Sequence, residues 1–202
     1  MRDSARCTVV TVLTLLIGSG ALGSPALAQS TVALALSPPS RVRVEGTSNV
    51  HGWACWSTNI DASIQVPQGP AADLGNAIES ATFTVPVGSL DCGHGDMNDN
   101  LRKAMHADRH PAVRYRVTSY TATKRESSYE GVVHGTLSIN GVDKAVDLRV
   151  TVTPNGSGGA SAVGSTKINT NDFGVKPVKV LLGTLRTSPD VTITFNLTTV
   201  PQ

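Results

Sequence analysis

The chain has 202 residues, with 17 lysines and arginines against 15 aspartates and glutamates; 40% of its residues are hydrophobic, but only 4% are aromatic. A formal charge of +2 is too small for the concentrated basic face that neutralises several phosphates, so composition argues against a nucleic-acid partner. The hydrophobic fraction suffices for one packed domain, and the 19 glycines together with the low charge content indicate an all-β domain.

Residues 1–28 are typical of a secretory signal peptide. Basic residues flank a short polar start, an apolar run extends from Val9 to Ile17, and residues 26–28 (A-L-A) form a small-residue cleavage site. We expect cleavage before Gln29 and a secreted or periplasmic mature protein. The apolar run has about half of the roughly 20 residues that span a bilayer, and no later stretch approaches that length, so stable membrane insertion is not expected.

Two cysteines, Cys55 and Cys92, remain once Cys7 leaves with the signal peptide. In an oxidising compartment they predict a disulfide, which by the chain-entropy model would stabilise the fold by about 4 kcal/mol. A redox-active pair is the less favoured alternative, because the two cysteines do not form a C-x-x-C motif. Two thiols alone are a still weaker basis for a metal site.

Apolar residues alternate with polar ones along most of the remaining chain, which is the pattern of half-buried strands. The alternation is clearest from Val191 to Leu197. Asn140-Gly141 and the segment 154–159 are turn signals between strands, so we expect antiparallel hairpins. About eight strands can close into a barrel or fold into a sandwich. An interior of small branched side chains leaves room for a slender apolar guest, although a self-filled interior is equally consistent with the pattern.

One segment, Asp96 to Ala107, changes to helical spacing and predicts a short amphipathic helix. Its apolar stripe consists of Met97, Leu101, Ala104 and Met105. Asp96 is a suitable N-cap residue, and Pro111 disfavours helical geometry at His110, so both ends have a cause. A helix of this length can lie across a sheet or plug one end of a barrel.

Five local strings resemble the YceI-like family and occur in that family's order. They are GTSNVHGW at 46–53, TFTVPVGSL at 82–90, MNDNLRKAMHADRHP at 97–111, GTLSINGVDKAVDL at 135–148 and DFGV at 172–175. The resemblance implies a YceI-like domain over residues 40–199, folded as an eight-stranded, lipocalin-like antiparallel barrel with one short helix near its mouth. It also implies binding of a polyisoprenoid or fatty-chain lipid inside the barrel, without catalysis and without a cofactor.

Apolar residues on the strands and the helix are the predicted ligand contacts. They are Val44, Trp53, Phe83, Val85, Met97, Leu101, Met105, Val117, Leu148, Val150, Ile193 and Phe195. Burial of one methylene contributes about 0.8 kcal/mol, so a tail of ten or more carbons would bind without a strong polar contact. Ordinary core packing is the alternative for the three helix residues, and also for Trp53 and Phe195.

Two motifs that resemble catalytic or metal-binding sites are better explained by structural roles. Asp172-Phe173-Gly174 lacks the other kinase motifs and predicts a turn with a buried Phe173. His106 and His110 have no third ligand nearby in the sequence, so no metal site is expected. His51 either hydrogen-bonds between strands or points toward the barrel mouth.

The sequence therefore favours a lipid-binding protein for storage, transport or stress protection. A structural or interaction barrel with a self-filled core is the alternative, and an enzyme using His51 as a base ranks third. Monomer and homodimer both remain open.

Overall fold

The computed structural model describes residues 31–67, 78–156, 158–180 and 184–202, so the predicted signal peptide and its cleavage site lie outside the described residues. Ten strands and one helix make up the described fold. The elements are β1 (Thr31–Ser48), β2 (Gly52–Ser57), β3 (Asp61–Pro67), β4 (Ser80–Pro86), α1 (Gly95–Ala104), β5 (Ala112–Lys124), β6 (Tyr129–Ile139), β7 (Val142–Pro154), β8 (Ala160–Asn169), β9 (Lys179–Val180) and β10 (Leu185–Pro201).

The strands close into an antiparallel barrel, which confirms the predicted fold class. The hydrogen-bonded order is β1-β3-β4-β5-β6-β7-β8-β10, and the pairing of β1 with β10 completes the ring of eight. The two remaining strands are short additions: β2 pairs with residues 42–47 of β1, beside the stretch that β3 occupies, and β9 adds two residues to β10. Closure leaves the eight strands with paired neighbours on both sides, which removes the exposed edges of an open sheet.

The first strand begins at Thr31, upstream of residue 40, where the sequence analysis starts the domain. The alternation is broken by Pro38 and Pro39, because proline lacks the N–H that a ladder needs. The structure places them in a bulge, where the register with β10 shifts between Ser37 and Arg41. Ser40 replaces the lost bonds: its hydroxyl donates to the carbonyl oxygen of Ser37 at 2.6 Å and accepts from the N–H of Thr198 at 2.9 Å.

The predicted Asn140-Gly141 turn is confirmed between β6 and β7. Both residues have positive φ, 51° and 73°, as the two central positions of a type I′ hairpin turn require. The Asn140 side-chain amide also donates to the carbonyl oxygen of Phe173 at 3.3 Å, which fixes the hairpin against the segment that follows β8.

The helix differs from its predicted bounds at both ends. It runs from Gly95 to Ala104 with His94 at the N-cap, so the prediction of Asp96 as N-cap was wrong. The helix begins before Asp96 because the Asn98 side-chain oxygen accepts the N–H of Cys92 at 2.7 Å and so holds the preceding loop against the first turn. The helix ends before Ala107 because His106 takes a positive φ of 47°.

A hydrophobic cluster lies at the end of the barrel that carries the helix. Its buried members are Val87, Met105, Tyr115, Leu137, Ile139, Phe173 and Val175, with Leu101 and Ala104 packed against them. Phe173 is only 2% exposed and ends a short 3₁₀ turn, Thr170–Phe173, which confirms the predicted turn with a buried Phe. The opposite end is where β1 starts and β10 finishes, since Leu34 pairs with Pro201.

Candidate functional site

The barrel encloses a large apolar cavity of about 1110 Å³. Its wall includes all twelve of the residues that the sequence nominated as ligand contacts: Val44, Trp53, Phe83, Val85, Met97, Leu101, Met105, Val117, Leu148, Val150, Ile193 and Phe195. They come from six strands and from the helix with its C-cap residue, so residues far apart in the sequence share one space. That they contact a ligand stays a prediction.

The period-two pattern explains why these side chains converge. On β10, Val191, Ile193, Phe195 and Leu197 all line the cavity, because alternate residues of a strand point to the same face. Ile193 pairs with Val44 on β1 and with Thr166 on β8, and all three line the cavity. The strand register therefore places inward-facing residues of β1 and β8 beside those of β10.

Two aromatic rings lie close against glycines of the wall. A Cβ built on Gly46 would lie 2.4 Å from Cζ2 of Trp53, and one built on Gly164 would lie 2.5 Å from Cζ of Phe195. Each glycine is the cross-strand partner of its aromatic residue. Since these rings occupy space that a larger side chain would fill, they rest against the wall and leave the centre of the barrel open.

The predicted disulfide between Cys55 and Cys92 is confirmed, with 37 residues of separation and a Cα–Cα distance of 4.0 Å. It joins β2 to the loop directly before α1, and both cysteines line the cavity. A backbone bridge between Trp56 and Asp91 flanks it, with N···O distances of 2.9 and 2.8 Å. The helix that covers part of the cavity is therefore fastened to the barrel wall at its N-terminal side.

Among the lining residues that the structure describes, few have polar side chains, and these are unevenly placed. Apart from the polar tips of Trp53 and Tyr115, they are Ser48, His51, Asn100, Thr166, Thr170, Lys176, Thr187, Ser188 and Thr199. Five of them lie where β1 ends, β10 begins and the segment after the 3₁₀ turn passes. We call these the polar rim: Ser48, His51, Lys176, Thr187 and Ser188.

Hydrogen bonds hold the segments of the polar rim together. The Ser48 hydroxyl donates to the carbonyl oxygen of His51 at 2.8 Å, and Ser48 pairs with Thr187 in the β1–β10 ladder. Thr187 in turn donates its N–H to the carbonyl oxygen of Val178 at 3.1 Å, and its hydroxyl accepts the N–H of Val178 at 2.9 Å. Of this rim, the sequence analysis singled out only His51, because Lys176, Thr187 and Ser188 belong to no apolar periodicity.

The side chain of Tyr115 is buried in the hydrophobic cluster and carries a hydroxyl group there. The hydroxyl oxygen lies 3.1 Å from the carbonyl oxygen of Val133 and 3.0 Å from that of Val146. Burial, and to a lesser extent the carboxylate of Asp147, raises the pKa of Tyr115 well above its usual range. Tyr115 therefore serves as a neutral hydrogen-bonding group.

The loop before the helix holds one perturbed carboxyl group. The Asn98 side-chain amide donates to Asp91 at 3.1 Å and the Gly93 N–H donates to it at 2.9 Å, and together they lower the pKa of that carboxyl. Asp91 is exposed and does not line the cavity, so these two hydrogen bonds serve to hold the loop before the helix in place.

Within residues 31–67, 78–156, 158–180 and 184–202, no group of three or more His, Cys, Asp and Glu side chains is arranged to hold a metal ion. The nearest candidates from the sequence, His106 and His110, lie at the C-terminal side of α1, where His106 Nδ1 contacts an Arg109 nitrogen at 3.1 Å. Of the helices among the described residues, none has the length and apolar character to cross a membrane.

Comparison with known proteins gives one family and several solved structures with a similar fold. The profile of a family described as "YceI-like domain" matches residues 28–199. Among solved structures, Burkholderia cenocepacia BcnA is 24% identical with a TM-score of 0.62, covering 79% of this chain and 94% of its own. A polyisoprenoid binding domain from Saccharophagus degradans, implicated in plant cell wall breakdown, is 14% identical with a TM-score of 0.62, covering 85% and 99%.

A third structure, a Campylobacter jejuni YceI variant with a monobromobimane guest, is 18% identical with a TM-score of 0.53, covering 70% of this chain and 81% of its own. No curated protein matches the chain. At these identities the solved structures establish the same barrel fold.

Proposed function

Because the chain belongs to the YceI-like family, we propose that it is an exported protein that binds a polyisoprenoid or fatty-chain lipid inside its barrel and stores, carries or protects it. Its role is binding, in keeping with a family of binding domains that are generally non-catalytic.

The observation that carries this proposal is the cavity. Its volume of about 1110 Å³ lies just above the range of roughly 300–1,000 Å³ common for small-molecule sites. At about 30 Å³ of liquid per molecule, roughly 35 waters would be needed to fill it. Its walls offer such waters few hydrogen-bonding partners, so displacement by an apolar tail is favourable. A barrel filled by its own side chains, the rival interpretation, would leave no room of this size.

The shape of the wall supports a long tail over a compact ring. Lining residues extend from Val32 and Pro201, at the end where β1 starts, to Met105 and Val191, at the helix end. A flexible chain can follow this length and bury each methylene for about 0.8 kcal/mol. The Saccharophagus domain, described as binding polyisoprenoids, shares this architecture and supports an isoprenoid tail as the first candidate.

The test is uptake of lipid by the purified chain, measured by native mass spectrometry. We expect one lipid of constant mass to copurify, or one equivalent of an added isoprenoid quinone to bind. The decisive variant is Ile193→Trp, which places a bulky ring in the middle of the cavity and should abolish uptake. Val163→Trp is the matched control, because Val163 faces outward on the neighbouring strand and is 42% exposed.

The proposal would be wrong if the wild-type chain stayed free of lipid with every tail offered, or if the two tryptophan variants bound equally well. Export is tested separately: N-terminal sequencing of protein from the periplasm or medium should begin at Gln29, and retention of residues 1–28 in cytoplasmic protein would contradict it.

A further inference from the structure

We propose that the cavity orients its ligand, with an anionic oxygen head group held at the polar rim by Lys176 and the tail directed toward the end where β1 starts. This inference rests on the proposed lipid-binding function and adds the chemical class of the head group and the direction of the chain.

The first observation is the polarity of the two cavity ends. Near the start of β1 the lining residues that the structure describes are almost wholly apolar, with Val32, Val66, Val152 and Pro201 among them. Thr199 is the polar exception in this described set, and its proton is already donated: the hydroxyl accepts the Ala160 N–H at 2.9 Å and donates to the Ala160 carbonyl oxygen at 3.2 Å. A polar head placed against these residues would lose its hydration without gaining a donor from their side chains, which is unfavourable.

The second observation is the set of donors at the polar rim. The hydroxyls of Thr187 and Ser188 each accept a backbone N–H, from Val178 at 2.9 Å and from Asp190 at 3.2 Å. Each hydroxyl also carries one proton to donate, and among the described residues it has no acceptor for that proton. Thr187 and Ser188 therefore present donors at the rim, which suit a head group made of acceptor oxygens, whereas the Ser48 hydroxyl already donates to His51.

The third observation is the charge of the wall. Lys176 is the one Lys or Arg among the described lining residues; it is exposed at the rim, and its side-chain nitrogen forms no hydrogen bond or ion pair within the described part of the chain. The lining residues that the structure describes include no Asp, Glu or Arg. Because no carboxylate of the wall competes for Lys176, an anionic oxygen of a ligand would be its partner, with charge-assisted hydrogen bonds.

The Nδ1 proton of His51 is used within the chain, so it adds no donor to the head-group site. His51 Nδ1 lies 2.7 Å from the carbonyl oxygen of Gly52, and a carbonyl can only accept, so Nδ1 carries the proton. A phosphate monoester and a carboxylate are two lipid head groups that have this chemistry and can be compared directly.

The experiment compares ligands that share a tail and differ in the head. Decaprenyl phosphate is measured against decaprenol, and hexadecanoate against hexadecanol, by displacement of a bound fluorescent lipid. We expect the anionic member of a pair to bind about tenfold more tightly, the size expected for charge-assisted bonds partly screened by solvent. A preference in the isoprenoid pair alone identifies phosphate as the head, and a preference in the fatty pair alone identifies carboxylate.

Variants assign the preference to the rim. Lys176→Gln should remove most of the tenfold preference while the affinity for decaprenol changes less than about twofold, and Lys176→Arg should retain it. Lys179→Gln is the matched control, because Lys179 is exposed close by in the chain and does not line the cavity.

Equal binding of anion and alcohol would overturn the orientation while leaving lipid binding intact. So would an equal loss for both ligands in Lys176→Gln. Failure of the wild-type protein to bind any of the four ligands would instead refute the proposed function itself.

Discussion

Replacement of Gly46 by alanine tests whether the aromatic rings are held against the wall to keep the barrel open. The new Cβ would lie 2.4 Å from Cζ2 and 2.6 Å from Cε2 of Trp53. Ordinary carbon contacts are about 3.5–4.0 Å, so the ring must retreat by about 1 Å or more. Because Trp53 lines the cavity, we expect it to move inward and to weaken its bond to the Thr47 carbonyl oxygen, now 3.2 Å.

The expected loss is in the length of tail that the cavity accepts. An indole displaced by this amount removes room for roughly two methylenes, or about 1.6 kcal/mol, which is near a 15-fold loss of affinity. Stability should fall by about 1–3 kcal/mol, as is usual for overpacking.

The assay is the displacement of a bound fluorescent lipid by n-alcohols of increasing length. Short alcohols should bind Gly46→Ala and the wild type equally, and the difference should emerge only for tails long enough to reach Trp53. Gly52→Ala is the control in the same hairpin, since its Cβ would meet nothing closer than the Gly46 carbonyl oxygen at 3.7 Å.

A second change completes the argument. Trp53→Leu introduced with Gly46→Ala should restore binding of long tails, because the smaller side chain no longer collides with the added methyl group. Unchanged affinity of Gly46→Ala for every tail length, or an equal loss in Gly52→Ala, would refute the reasoning.

Three further outcomes follow from the structure. Serine at both Cys55 and Cys92 should lower the free energy of unfolding by about 4 kcal/mol for a bridge across 37 residues, measured by denaturant titration; an unchanged midpoint would contradict it. Leu101→Asp, on the cavity side of α1, should reduce uptake of a long alcohol at least tenfold, beyond its effect on stability; proportional losses would make Leu101 an ordinary core residue. Because its pKa is raised, Tyr115 keeps its proton in the folded chain at a pH near 10, where the unfolded chain loses it, so the free energy of unfolding should fall above about pH 10. Tyr115→Phe should lack this part of the fall. Parallel pH profiles of stability for the two proteins would contradict the assignment.

The strands and hairpins could be predicted because their information is local and repeated. Alternation along β10 and the Asn140-Gly141 turn each specify a strand face or a hairpin, whereas a sandwich was equally consistent with about eight strands and the closed barrel was expected from the resemblance to the YceI-like family. Nine of the twelve nominated residues lie on strands and line the cavity because a strand residue that is apolar and in phase with its neighbours faces inward; the other three came from the helical spacing of residues 97–105.

The features that escaped prediction depend on contacts between distant segments. The start of β1 was missed because Pro38 and Pro39 suppress the strand signal, and only the Ser40 hydroxyl, bonded to β10, makes that bulge tolerable. The helix start was misplaced because Asn98 and the disulfide of Cys92 determine it, and neither is visible in helical spacing. Lys176 reaches the cavity through a segment without regular structure, so no periodicity marked it.

The pairing of β1 with β10 has a consequence for kinetics. With neighbouring strands hydrogen-bonded around the whole circumference, a guest cannot slip out sideways between them and must leave lengthwise through an end. Escape then exposes the tail to water one methylene after another, and each added carbon should slow departure roughly fourfold if its full burial of about 0.8 kcal/mol is lost on the way. Residence time, more than the speed of capture, would then distinguish long cargo from short.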